Sequence, residues 1–529
     1  MRKIIFTLIA FATLQGCKKE NDRPQWQVDV VGPIAYASLG IENLIADSLL
    51  QINSSHAVSF VYEDTFYNTS PDSIFRIRDT VIPTIVIIPL TYTFQPNSPF
   101  YASSNNATLG ISGVELRLAT VKSGYLRIET QNHMQKRVVY SLSIPKAKLN
   151  GIPFHVTTTM DAAPSGGVSD FIGLYDMTGY KLDLTGLAGD KVNTLVYDIA
   201  AQTDTGGTPV TVNLNDTLVN ISVGIQSIVP YYAKGYLGQR EFNEGPFIRY
   251  THLFSPIQSG SFKLDEVTMK MTIENNIGVD AQATINVMQS VNTLTSNNVF
   301  LSAPQLINHP LNINRASESG NPLTPVIPTE YVTVLNNSNS NLRAFLQNQP
   351  DRFNYALQLK INPLGNISSG NDFIYTDYLV NAKIKIEVPL AFAADHLSFA
   401  DTSAFTVQNQ QNYDAVGPGT ITLIADNGFP FEAAVRLYLL DAGNHFVDSI
   451  PVNTTIAAAP VDANFKVIAS RRTLVPLYID EARKKRILQG GNLSVHASFT
   501  TPDFPQTIQI YSDYRLDLKL VGDASYLIR

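Results

Sequence analysis

Along most of this chain apolar and polar residues alternate one by one. Leu126-Arg127-Ile128-Glu129-Thr130, Lys383-Ile384-Lys385-Ile386-Glu387-Val388 and Leu516-Asp517-Leu518-Lys519-Leu520 each carry apolar side chains on one face and polar ones on the other. That period of two belongs to a strand covering a core on one side and meeting water on the other. Ile82 to Leu90 and Val435 to Leu440 are more continuously apolar and are expected as central strands. Asn, Ser, Gly and Pro clusters at Asn97–Asn106, Asp204–Pro209, Ser317–Pro325, Asn336–Asn341 and Gly417–Gly419 predict turns or linkers, and 29 prolines argue against long helices. The basic run Arg483-Lys484-Lys485-Arg486 is expected as one solvated helix face.

Beneath the alternation lies a repeat. One element is a strand, a polar loop and a second strand opened by Asp. It runs from Asn354 to Asp377 and from Asn193 to Asp216 with a spacing of 23, and from Asn492 to Asp513 with a spacing of 21. A fainter copy runs from His56 to Asp79, again 23 apart. Between these lies a hairpin entered through an Asn-centred turn, at Leu126–Asn132, Met271–Asn276 and Ile421–Asn427; Asn is expected there for its tolerance of positive φ. The two elements alternate with a period of roughly 140 to 150 residues. The expected fold is all-β: an elongated array of about three antiparallel β-sandwich-like units with few short helices. The frame is a half-unit at 36–108 and repeats at 109–256, 257–400 and 401–529. The segment Gly124 to Asn132 followed by Gly151-Ile152-Pro153-Phe154 resembles the late-embryogenesis-abundant type 2 sandwich, a family that implies a fold and no enzymatic activity.

The N-terminus reads differently. Arg2 and Lys3 precede the apolar run Ile4 to Leu14, which is too short for a transmembrane helix and has the layout of a secretory signal. The run ends in Leu14-Gln15-Gly16-Cys17, which resembles the bacterial lipobox. The resemblance implies signal peptide 1–16, cleavage between Gly16 and Cys17, lipid on Cys17 and a tether over 17–35. Lys18 is not the aspartate that resembles an inner-membrane retention signal, so an outer-membrane location is expected, at the periplasmic face or cell surface. The charged stretch Lys18 to Pro24, and Asp-Ser/Thr-aliphatic triplets such as Asp216-Thr217-Leu218, resemble the export and O-glycosylation signals of Bacteroidota lipoproteins. Cys17 is the sole cysteine of 529 residues, so no intrachain disulfide forms and packing must hold the fold.

Net charge of −7 argues against nucleic acid, which needs clustered Lys and Arg. No nucleophile elbow, His-Glu-x-x-His, phosphate-binding glycine loop or cysteine metal spacing occurs, and the eight histidines stand singly. Hence no cofactor, no metal and no enzymatic activity are expected. Asp377 and Asp513 recur in register and are expected to stabilise turns. Tyr231, Tyr232 and Tyr236, near Arg240 and Arg249, are the candidate ligand contacts, through stacking on sugar rings. Two functions follow: a non-catalytic structural or accessory lipoprotein with a protein partner in the envelope, or a surface lipoprotein binding glycans or another ligand. An exposed sheet edge or flat apolar patch would favour the first, exposed aromatics clustered on a loop edge the second.

Overall fold

The computed structural model describes residues 26–45, 49–69, 77–405 and 416–528; Gly16, Cys17 and the leader lie outside them. The stretch expected as tether enters a strand at Trp26.

One eight-stranded motif occurs three times. In roll 1 its strands are, in order, Thr80–Ile87, Pro99–Thr108, Glu115–Asn132, Val138–Leu149, Ile152–Met160, Ser169–Asp176, Thr194–Thr203 and Thr217–Tyr236. In roll 2 they are Val58–Asn68, Arg240–Tyr250, Thr268–Asn275, Ala281–Asn292, Asn297–Phe300, Thr329–Asn336, Arg352–Ile361 and Asn381–Pro389. Roll 3 is built from Trp26–Gly40, Ala391–Phe405, Val416–Asn427, Glu432–Leu440, Phe446–Pro451, Arg471–Leu477, Gly491–Thr500 and Arg515–Ile528. In every copy the first, eighth, third and sixth strands pair in that order along one face, and the second, seventh, fourth and fifth along the other; in roll 1 the short strand Lys181–Asp183 pairs with both the third and the fourth strand and joins the two faces into one sheet. That is the strand order of a jelly roll, two Greek keys folded face to face.

The three rolls are nested in the chain. Roll 1 is contiguous from Thr80 to Tyr236 and interrupts roll 2 between its first and second strands. Roll 2, with its insert, interrupts roll 3 at the same point. The N-terminal stretch expected as a half-unit therefore delivers one first strand to each roll, in reverse order. The expected boundaries fall at the end of the second strand of roll 1, just after that of roll 2, and within that of roll 3. Apart from the ends of roll 2's first and eighth strands, rolls 1 and 2 belong to one compact unit (Tyr62–Thr251 and Val267–Glu387). Roll 3 belongs to the other, which runs up to Val61 and includes His252–Glu266 and the chain from Val388 onward.

A buried asparagine closes each third strand. Asn132 Nδ2 donates to Lys136 O and Asp161 O, both at 2.8 Å, and its Oδ1 accepts the Met134 N–H at 3.0 Å. Asn275 repeats this with Val279 O and Asn314 O at 2.8 Å and Ile277 N at 3.0 Å. Asn427 does so with Phe431 O at 2.8 Å, Ala457 O at 3.0 Å and Phe429 N at 2.9 Å. All three side chains are fully buried, and all three residues are the last of their strand. The expectation of positive φ is corrected here: none of them adopts it, and in roll 2 the equivalent residue is Asn275, not Asn276. The expected hairpin is corrected too, since the third and fourth strands do not pair with each other; asparagine is needed because one amide satisfies two carbonyls and one N–H that would otherwise be orphaned where the chain crosses between them.

Three other expectations change. Ile82–Leu90 is no central strand: Thr80–Ile87 pairs on one side only and exposes Val81, Ile85 and Ile87. Asn97–Asn106 and Gly417–Gly419 lie mainly in strands, because backbone pairing with Thr194–Thr203 and Arg515–Ile528 outweighs the turn preference of Asn, Ser and Gly. The Asp-opened spacing is the seventh and eighth strands of rolls 1, 2 and 3, whereas its faint copy from His56 to Asp79 joins the first strands of rolls 2 and 1. The basic run does lie on a short helix, Glu481–Leu488, where Asp480 caps the Arg483 N–H at 2.7 Å and Arg483 and Arg486 grip Asp448.

Candidate functional site

The candidate tyrosines sit where rolls 1 and 2 join. Strand Asp372–Tyr375, from the loop before roll 2's last strand, pairs with Tyr232–Gly235 of roll 1. Tyr232 is buried among Ala316, Val326 and Phe373, and its hydroxyl donates to Glu318 Oε1 at 2.6 Å. Burial first, then the Glu318 carboxylate, pushes that phenol far above its ordinary value. Tyr231 and Tyr232 pack on the Tyr375 ring at centroid distances of 5.6 and 4.6 Å, and Tyr236 is partly buried. Arg249 is bound by both oxygens of Asp64 at 2.6 Å, and Arg240 donates to Ser112 O at 2.9 Å. The structure thus brings Tyr231 and Tyr232 together as packing between two rolls, with Tyr232 closed to solvent.

Acidic groups also find partners. Asp377 pairs with Lys122 at 2.6 Å, and Asp216 accepts the Asn213 N–H at 2.7 Å within its turn. Asp372 is almost fully buried and satisfied by the Leu237 N–H, Asn362 Nδ2 and Arg315. Among the described residues no three His, Cys, Asp or Glu side chains are grouped as a metal would require. An open groove of about 550 Å³ crosses the outer face of roll 2, lined by Glu63, Lys270, Glu274, Glu330, Lys383 and Lys385. Lys383 meets Glu274 at 3.2 Å and Lys385 meets Glu63 at 3.0 Å, so much of its charge is already paired.

The feature that recurs in all three rolls is the margin of the sheet that holds the clasp. Among the described residues its sixth strand pairs only with the third, in one register: Ser169, Thr329 and Arg471 face the clasp residues Asn132, Asn275 and Asn427. Three and five residues further on, two apolar side chains stand on the solvent face of that margin. They are Ile172 and Leu174 in roll 1 (63% and 56% exposed), Val332 and Val334 in roll 2 (44% and 47%), and Leu474 (61%) and Pro476 in roll 3. The third strand beside them is largely polar there, with Arg127 and Glu129 in roll 1 and Lys270 and Thr272 in roll 2. Sequence patterning did not single out these positions. A signal was present: Phe171-Ile172-Gly173-Leu174-Tyr175 and Leu474-Val475-Pro476-Leu477-Tyr478 are apolar on both faces, which a one-sided strand does not require.

No protein-family model matches the chain, and no curated protein does. Among solved structures, it is similar to a Parabacteroides distasonis protein predicted to be secreted, at 10% identity and a TM-score of 0.27, over 94% of this chain and 99% of that one. A protein with a triple jelly-roll fold, from the turret of an archaeal virus, also matches, at 10% identity and a TM-score of 0.13, over 84% and 90%.

Proposed function

We propose that this chain is a non-catalytic cell-envelope lipoprotein, anchored in the outer membrane by lipid on Cys17 and structural or accessory to a complex at that membrane or the cell surface. The observation that carries the proposal is the threefold recurrence of exposed aliphatic pairs along one sheet margin. Exposed apolar side chains at a strand edge are a liability for an isolated protein and suit a surface that meets another protein. The lipobox-like Leu14-Gln15-Gly16-Cys17 supports the anchor, and the sole cysteine in the chain occupies that place. The candidate tyrosines lend little to glycan stacking, since Tyr232 is buried and hydrogen-bonded and Tyr231 packs on Tyr375.

Affinity purification from native membranes with mass spectrometry tests the proposal. A partner protein recovered in fixed stoichiometry supports it. Recovery of the chain alone, together with retention on a polysaccharide column, would replace it with the glycan-binding alternative. Cys17→Ala tests the anchor separately: lipid labelling and membrane association should both vanish, and their survival would refute lipidation.

A further inference from the structure

The three margins are equivalent in register but not in what their backbones offer. In an antiparallel strand, alternate residues turn both N–H and C=O toward the same side. Met177, just past the sixth strand of roll 1, donates its N–H inward to Gly124 O at 2.9 Å. By alternation Asp170, Ile172, Leu174 and Asp176 turn theirs outward, away from the sheet. In roll 2 the C-terminal end of the matching row is covered. The Asn339 side chain donates to Val334 O at 3.0 Å and accepts the Asn336 N–H at 2.8 Å, acting as the peptide group of a missing neighbour strand. In roll 3 the residue matching Leu174 and Val334 is Pro476, which has no N–H to offer. Both are recognised ways of blocking strand addition. Roll 1 has neither among the described residues, and there Ile172 and Leu174 combine exposed side chains with outward backbone groups that bond no other described strand.

Resting on the protein-partner reading above, we infer that the Ser169–Asp176 margin of roll 1 is a strand-addition site. Its occupant is an extended segment of a partner protein. Only an extended backbone can satisfy a row of outward N–H and C=O groups, so the partner adds a strand and sets aliphatic side chains beside Ile172 and Leu174. Charge narrows the class further. Asp170 and Asp176 stand at the two ends of the exposed row. Hydrogen bonds from the Thr178 hydroxyl and N–H keep the Asp176 carboxyl below its usual range. A second copy pairing antiparallel through this margin, centred on Gly173, would set Asp170 against Asp176, whereas a segment with Lys or Arg at its ends complements both. The occupant is therefore a strand with alternating aliphatic residues and basic ends.

The test uses the full chain and a fluorescein-labelled peptide, Lys-Val-Thr-Val-Thr-Val-Lys, followed by anisotropy. Wild type should bind it. Leu174→Pro, which imitates the proline that roll 3 already tolerates at this position, should weaken binding by roughly tenfold or more through loss of the outward N–H. The double variant Ile172→Lys, Leu174→Lys should also lose binding while leaving every backbone group in place. Asn339→Ala should add a second, weaker site by uncovering roll 2. Unchanged affinity in Leu174→Pro and in the double-lysine variant, or no binding by wild type, overturns the proposal. So does a wild-type dimer that Leu174→Pro dissociates, since a second copy would then be the occupant. A partner complex from native membranes that survives Leu174→Pro refutes this site alone; absence of any partner refutes the function above.

Discussion

Replacing a clasp asparagine with alanine should destabilise the roll that contains it and little else. In Asn132→Ala the Met134 N–H and the Lys136 and Asp161 carbonyls lose their partners at a fully buried position. An unsatisfied buried group costs about 1–3 kcal/mol, and some relaxation is available in a connecting segment, so the loss should be about 3–5 kcal/mol. Against a domain stability of about 5–15 kcal/mol, that is enough to raise the opening of one roll selectively by about two to four orders of magnitude. Hydrogen exchange read by mass spectrometry locates the effect. Asn427→Ala should release protection around Leu423 and Val435 of roll 3 while Leu126 and Ile128 of roll 1 keep theirs, and Asn132→Ala should do the opposite. Asn→Asp at the same positions adds a signed pH test. Burial against two carbonyl oxygens raises that carboxyl above its unfolded value of about 3.9. The protonated form, which can donate one bond, then stabilises below that value, and this is lost as pH rises through the folded pKa. A loss under about 1 kcal/mol in all three alanine variants, or protection lost uniformly, would refute the clasp as a structural device.

Tyr140 is fully buried in roll 1, its hydroxyl has no hydrogen-bond partner among the described residues, and burial pushes its phenol up. Tyr140→Phe should therefore be neutral or stabilising by up to about 1 kcal/mol in urea denaturation, where a hydroxyl with a hidden role would show a loss. Asp64 is held below the usual carboxylate range by the Arg249 hydrogen bonds. Its contribution is present above the unfolded value and lost as pH falls toward the folded one, so Asp64→Asn should cost about 1 kcal/mol at pH 7 and progressively less toward pH 3. Pro476→Val restores an outward N–H at the margin of roll 3 and should increase concentration-dependent self-association in sedimentation velocity without lowering stability.

Strand content and the three repeats were legible because both are local: alternation is set within a few residues, and each clasp and each Asp-opened strand keeps its neighbours in sequence. Nesting was not. Nothing near Trp26–Gly40 specifies that its partner is Arg515–Ile528, because pairing across that distance is chosen by which sheet still lacks a first strand. The clasp asparagines were visible as turn residues, but their role lies in carbonyls as far away as Asp161, Asn314 and Ala457, which local turn rules do not include. Tyr231 and Tyr232 read as a platform because they cluster with Tyr236 near Arg240 and Arg249; strand Asp372–Tyr375, more than a hundred residues later, pairs beside them and packs the Tyr375 ring on both. The sixth-strand margins announced themselves only as runs apolar on both faces. Which of the two faces stays exposed depends on the sandwich around them.

The central claim is that this scaffold acts through a protein held at a sheet margin. It is tested most directly by the mass of the particle extracted from native membranes, measured by light scattering after gentle solubilisation and corrected for detergent. The account predicts a particle heavier than the mature lipidated chain by one constant partner, and loss of that partner in the Ile172→Lys, Leu174→Lys variant while its circular dichroism stays that of wild type. A wild-type particle of single-chain mass, or one indifferent to that variant and to Leu174→Pro alike, would contradict it.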